Sequence, residues 1–193
     1  MQGALDERRA TQIAAKFLQR HDGKLKYLKL IKLIYIVDRE ALKEHGYALT
    51  GDAYFSLPHG PIVSEIQDLI TDDPEFVDSD YWKDYIKTSE NDVELVETPE
   101  FDALSPIANR LVEKVDDEFG GYNRWELRDI THNFPEWEDP GKSRLPITYE
   151  SILKAVGRDE RAEELSSELE ARNFAKKSWR TNKNGCYRGY LLD

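Results

Sequence analysis

The run from Leu25 to Val37 constrains this chain more than any other segment. Leu25, Leu28, Leu30, Ile31, Leu33, Ile34, Tyr35, Ile36 and Val37 follow one another so densely that apolar groups surround most of a helix, and such a helix has to be packed on several sides. The pattern predicts a central helix that continues through Asp38, Arg39, Ala41 and Leu42 and stops near His45-Gly46, with Gly46 in the left-handed conformation that closes helices. Lys26, Lys29 and Lys32 interrupt the run, which falls short of the roughly 20 apolar residues that a membrane span needs. Membrane insertion is therefore not expected, and Lys32 is expected to snorkel to the surface.

Shorter elements surround this helix. Ile13, Ala14, Phe17 and Leu18 recur at helical spacing behind Asp6-Glu7, and Asp22-Gly23 supplies the stop. Thr50-Gly51-Asp52 turns the chain into an extended piece, Ala53 to Leu57, ended by Pro58. Gly60-Pro61 is expected to open the next helix, whose apolar face is Ile62, Ile66, Leu69 and Ile70. Trp82 to Ile86 and Val93 to Val96 flank a polar turn and read as a hairpin anchored by Tyr81 and Trp82. Further helices are expected from Ser105-Pro106 to Gly120, from Trp125 to Thr131 and behind Thr148, with a strongly acidic helix over Glu163 to Glu170. The fold class is α+β, mostly helical, with a small β-hairpin or short sheet. Residues 1–156 form the expected domain, and 157–193 an extension made of the acidic helix and a basic aromatic tail.

Charge narrows the function. A formal net charge of −11 repels phosphate polymers, because nucleic-acid affinity rests largely on cations that displace condensed counterions. Nucleic acid is thus a disfavoured partner, and a basic protein surface a favoured one. The single cysteine, Cys186, has no partner for an intramolecular disulfide, and the polar start of the chain lacks an apolar signal core; a cytoplasmic location is expected. No Gly-rich phosphate loop, Gly-x-Ser-x-Gly elbow or close-spaced metal-ligand motif is present. The expectation is a protein that is not an enzyme and has no cofactor. A metal-dependent hydrolase built from His45, His59, His132 and Asp52 is the minor alternative.

The ordered set Leu30-Ile-Lys32-Leu33-Ile-Tyr35-Ile-Val-Asp38-Arg39, Gly46, Thr50-Gly51-Asp52 and Pro58-His59-Gly60-Pro61-Ile62-Val63 resembles the Panacea, or SocA-like antitoxin, domain. Leu127, Thr131-His132 and Trp137 are similar to its second signature. The resemblance covers roughly residues 8 to 155. It implies an antitoxin that neutralises a cognate protein toxin, usually encoded beside it, by direct contact. In one branch of the family the antitoxin is instead an adaptor that delivers the toxin to the ClpXP protease.

Two sets of candidate contact residues follow. The signature positions are Arg39, Asp52, His59, Pro61, His132 and Trp137. Chemistry gives most of them a structural reading: Arg39 pairs with Asp38, Asp52 or a carbonyl, Asp52 bonds turn amides, His132 bonds free carbonyls at a helix end, and Trp137 packs over that end. His59 either locks its turn or meets a partner. The second set lies in the tail, where no acidic residue occurs from Ala171 to Leu192 and cations alternate with aromatics. Trp179, Arg180, Tyr187 and Tyr190 suit a partner groove, a nucleic acid or the protein's own acidic surface.

Overall fold

The computed structural model describes residues 4–71 and 81–183, with side chains through Ser178. Helix α1 (Glu7–Arg20) starts at Asp6, whose carboxylate accepts the Arg9 amide, and ends where Asp22 and Gly23 adopt φ of 55° and 80°. A three-residue strand, β1 (Lys24–Lys26), precedes the central helix α2 (Tyr27–His45). Leu25 thus belongs to a strand and not to the helix. The reason is local alternation: Leu25 is buried between exposed Lys24 and Lys26, which pair with Asp92 and Glu94 on the neighbouring strand. Helix α2 is buried almost throughout and closes at Gly46 with φ 73°, as its apolar density requires.

Beyond a turn lie β2 (Tyr54–Leu57) and β3 (Gly60–Val63), an antiparallel pair with Phe55 opposite Ile62 and Ser56 opposite Pro61. Gly60-Pro61 therefore opens a strand, and the following helix α3 (Ser64–Thr71) begins three residues after Pro61. Proline is tolerated there because β3 is an edge strand. The short helix α4 (Tyr81–Tyr85) leads to the hairpin β4 (Ile86–Ser89) and β5 (Asp92–Leu95). The hairpin exists as expected, but Tyr81 and Trp82 are helical, with Trp82 buried and its amide donating to the Glu7 carboxylate at 2.9 Å.

Helix α5 (Pro106–Phe119) is capped by Ser105, and α6 (Arg124–His132) by a reciprocal pair in which Asn123 accepts from the Glu126 amide and Glu126 from the Asn123 amide. Strand β6 (Leu145–Ile147) joins β2, giving sheet orders β1-β5-β4 and β3-β2-β6, all antiparallel. Thr148 caps α7 (Tyr149–Ala155), and a single-turn 3-10 helix (Asp159–Arg161) leads into α8 (Ala162–Lys183). The acidic segment and the first part of the basic stretch are thus one continuous helix. Its Ala162, Leu165 and Leu169 enter the same apolar core as α1, α2 and α5. The fold is mostly helical α+β, and no helix among the described residues is long and apolar enough to cross a membrane.

Candidate functional site

One face of α2 carries Lys32, Tyr35, Asp38 and Arg39, all polar and all but Arg39 buried. Buried polar groups must find partners within the protein, and these four reach three later segments of the chain. The Asp38 carboxylate accepts from the Leu49 amide at 2.8 Å, the Thr50 amide at 3.0 Å, the Thr50 hydroxyl and the Tyr54 hydroxyl at 2.9 Å. Burial pushes this carboxyl up from its ordinary value, and the Thr50, Tyr54 and Leu49 donors pull it back. Asp52 bonds amides as expected: it accepts from Ala53, Glu65 and Ile66 and so caps the start of α3. Burial pushes its carboxyl well up, against those amides.

Arg39 does not pair with Asp38, Asp52 or a carbonyl. Its Nε donates to Glu136 at 2.7 Å and its guanidinium lies 4.1 Å from the Phe134 ring centre. Both carboxylates named in the sequence already serve amides, so the guanidinium takes one that is distant in sequence. The Tyr35 hydroxyl donates to the same Glu136 oxygen at 2.9 Å. Glu136 was not singled out by the sequence reading. Its signal was faint: an acid between His132 and Trp137, with a buried arginine needing a counter-charge.

Lys32 does not reach the surface either. Its ammonium is fully buried, donates to the Pro61 carbonyl at 2.6 Å, and is driven well below the ordinary lysine value by that burial. This contact gives Gly60-Pro61 its meaning. Gly60 has φ 93°, and a Cβ there would lie 2.8 Å from both Lys32 Nζ and Thr131 Oγ1. Gly60→Ala is expected to lower stability by about 2 kcal/mol through overpacking and backbone strain, seen as a lower urea midpoint at unchanged slope.

His132 ends α6 as expected, but its ring stacks on Trp137 at 4.0 Å and 8° instead of bonding carbonyls. Its Nε2 is buried without a partner, and burial, followed by the Lys32 and Arg128 charges, lowers the imidazole's pKa. Trp137 packs over the helix end and donates from Nε1 to the Leu57 carbonyl at 3.2 Å. Arg39, Asp52, Pro61, His132 and Trp137 are thus joined into the scaffold.

A family model described as antitoxin SocA-like, Panacea domain, matches residues 30–138, more than half of the chain. The chain belongs to the SocA-like Panacea family. No curated protein matches it. No solved structure matches it either. The matched span of this Panacea protein runs from α2 to the Glu138 that follows Trp137, and so contains the whole polar tie just described. Among the described residues, no group of three or more His, Cys, Asp or Glu side chains is placed to hold a metal ion.

His59 is the signature side chain that faces solvent. It sits between two strands at the β2–β3 tip, with its ring edge against Trp125 at 5.8 Å and 74°. Trp125 is 43% exposed, and the Arg124 and Arg128 guanidinium groups lie 4.9 and 5.2 Å from its ring centre. The sequence placed Trp125 on a helix without marking it as a surface anchor; cations one residue before and three after it were the available signal. Of the tail candidates, Trp179 and Arg180 lie on α8 with side chains outside the described set, and Tyr187 and Tyr190 lie outside the described residues.

Proposed function

We propose that this Panacea protein is an antitoxin that silences a cognate protein toxin by direct contact, with the His59–Trp125 surface at the centre of the contact. Residues 1–156 act as the platform and 157–193 as an extension of it. Family membership supports the antitoxin role. The observation that carries the contact face is the division among signature residues: those that tie α2 to its neighbours are occupied internally, whereas His59 is exposed and joined to a half-exposed tryptophan flanked by cations. Exposed tryptophan and arginine are the residue types that dominate interface energies.

The test is co-expression with the product of the neighbouring reading frame. That product is expected to arrest growth alone and to be silenced by this chain, including in a strain lacking ClpXP. Rescue that disappears without the protease, together with toxin levels that fall only when the antitoxin is present, would overturn sequestration in favour of delivery to the protease. Trp125→Ala is expected to weaken the purified complex by about 2 kcal/mol, roughly 30-fold in Kd, with an unchanged unfolding midpoint. Unaltered affinity would move the contact elsewhere.

A further inference from the structure

Helix α8 divides its charges by half. From Ala162 to Glu170 its charged residues are Glu163, Glu164, Glu168 and Glu170, and from Ala171 to Ser178 they are Arg172, Lys176 and Lys177. Acids early and cations late complement the helix dipole, but the dipole gives no reason for Phe174. That side chain stands between Glu170 and Lys177 and is 75% exposed, more than any other large apolar side chain described. Beside it runs a groove of about 590 Å³, floored by Ala53, Pro146 and Ile147. An aromatic left in water on the wall of an apolar groove marks a contact surface. Glu170 and Lys177 line the same groove, so this face of the helix reads acid, aromatic, cation at positions i, i+4 and i+7.

We infer that this face is covered by the same face of a second copy of the chain, with the two α8 helices antiparallel about a two-fold axis. The pairing is independent of the antitoxin reading. Charge selects the occupant: a partner for this face must be basic where α8 is acidic and acidic where it is basic. The helix itself, run in the opposite direction, has that order, which is the self-complementarity a two-fold interface requires. With the axis beside Asn173 and Phe174, Glu170 of each copy meets the partner's Lys177, and each Phe174 lies over the other copy's groove. Both charges are open to such a contact. Glu170 is exposed and forms no ion pair among the described residues, whereas Glu164 is already held by Arg161 at 2.9 Å. Lys177 feels Glu65 of its own chain, yet burial outweighs that carboxylate and lowers the ammonium from its ordinary value. A second carboxylate beside Lys177 therefore meets a charge that its own chain compensates only in part.

Sedimentation velocity of the full chain tests the pairing. Monomer and dimer are expected to exchange with a Kd of about 10 µM, the scale of a small interface. Phe174→Asp, Glu170→Lys and Lys177→Glu are each expected to raise that Kd about tenfold, with unchanged far-UV circular dichroism. Glu170→Lys leaves a cation at both positions of the face and Lys177→Glu leaves an acid at both. An equimolar mixture of these two variants is therefore expected to dimerise as tightly as the unchanged chain, although neither does so alone. A chain that stays monomeric at about 200 µM overturns the inference. So does a dimer whose Kd none of the substitutions moves, or a mixture that pairs no better than either variant alone. A monomeric chain in which Phe174→Asp instead weakens the purified complex with the toxin also overturns it, and assigns the groove to the toxin.

Discussion

Asp38→Ala is expected to lower the free energy of unfolding by about 4 kcal/mol. The estimate rests on the asymmetry of buried hydrogen bonds: an intact bond adds little, but a buried donor left unpaired costs about 1–3 kcal/mol. Four donors converge on this carboxylate, two amides and two hydroxyls, and all are enclosed. The hydroxyls can rotate toward other acceptors, whereas the Leu49 and Thr50 amides are fixed by the turn, so the loss stays below the sum of the four. Urea denaturation followed by far-UV circular dichroism measures it. Asp38→Asn, which keeps one carbonyl acceptor, should recover part of the loss. A change of less than about 1 kcal/mol, the scale of an ordinary surface substitution or weak hydrogen bond, would mean that the turn is held by something else.

Glu136→Ala is expected to cost about 3–5 kcal/mol, because it strands a largely buried guanidinium without its counter-charge. Arg39 keeps only the Phe134 face, and Tyr35, enclosed in the core, loses its acceptor. Removing both charges differs in kind from removing one. The double variant Arg39→Met with Glu136→Met should regain most of the stability, since well-packed apolar groups of similar length replace a buried pair with little net loss. The same urea titration on the two single variants and the double variant closes a cycle. If the double variant is as unstable as the sum of the singles, the two side chains do not act as a pair.

The contrast between what the chain's local patterns revealed and what they concealed follows these two residues. Helix stops at Asp22-Gly23 and Gly46, helix starts at Asp6-Glu7 and Ser105-Pro106, and the cap at Thr148 were legible because each depends on side chains within a few positions. The apolar density of α2 announced its burial. Misreadings arose where a distant partner decided the outcome. Leu25 is extended because Val93 lies opposite it on β5, Pro61 lies in a strand because β2 pairs with it, and Lys32 stays inside because the Pro61 carbonyl waits there. Long-range choices of this kind leave no periodic trace. The candidate site shows the same limit: Arg39 advertised a need for a carboxylate, and only the folded chain shows that Glu136, 97 residues later, supplies it.

The separation between an internal polar tie and an exposed aromatic surface bears on how such a protein changes over generations. Substitutions within the tie are expected to cost several kcal/mol, whereas substitutions around His59 and Trp125 fall among solvent-facing positions where the typical stability effect stays within about 0.5 kcal/mol. With His59 and Trp125 as the proposed contact face, partner choice is open to change at almost no risk to folding. Under the contact face proposed above, one scaffold can be refitted to a different partner.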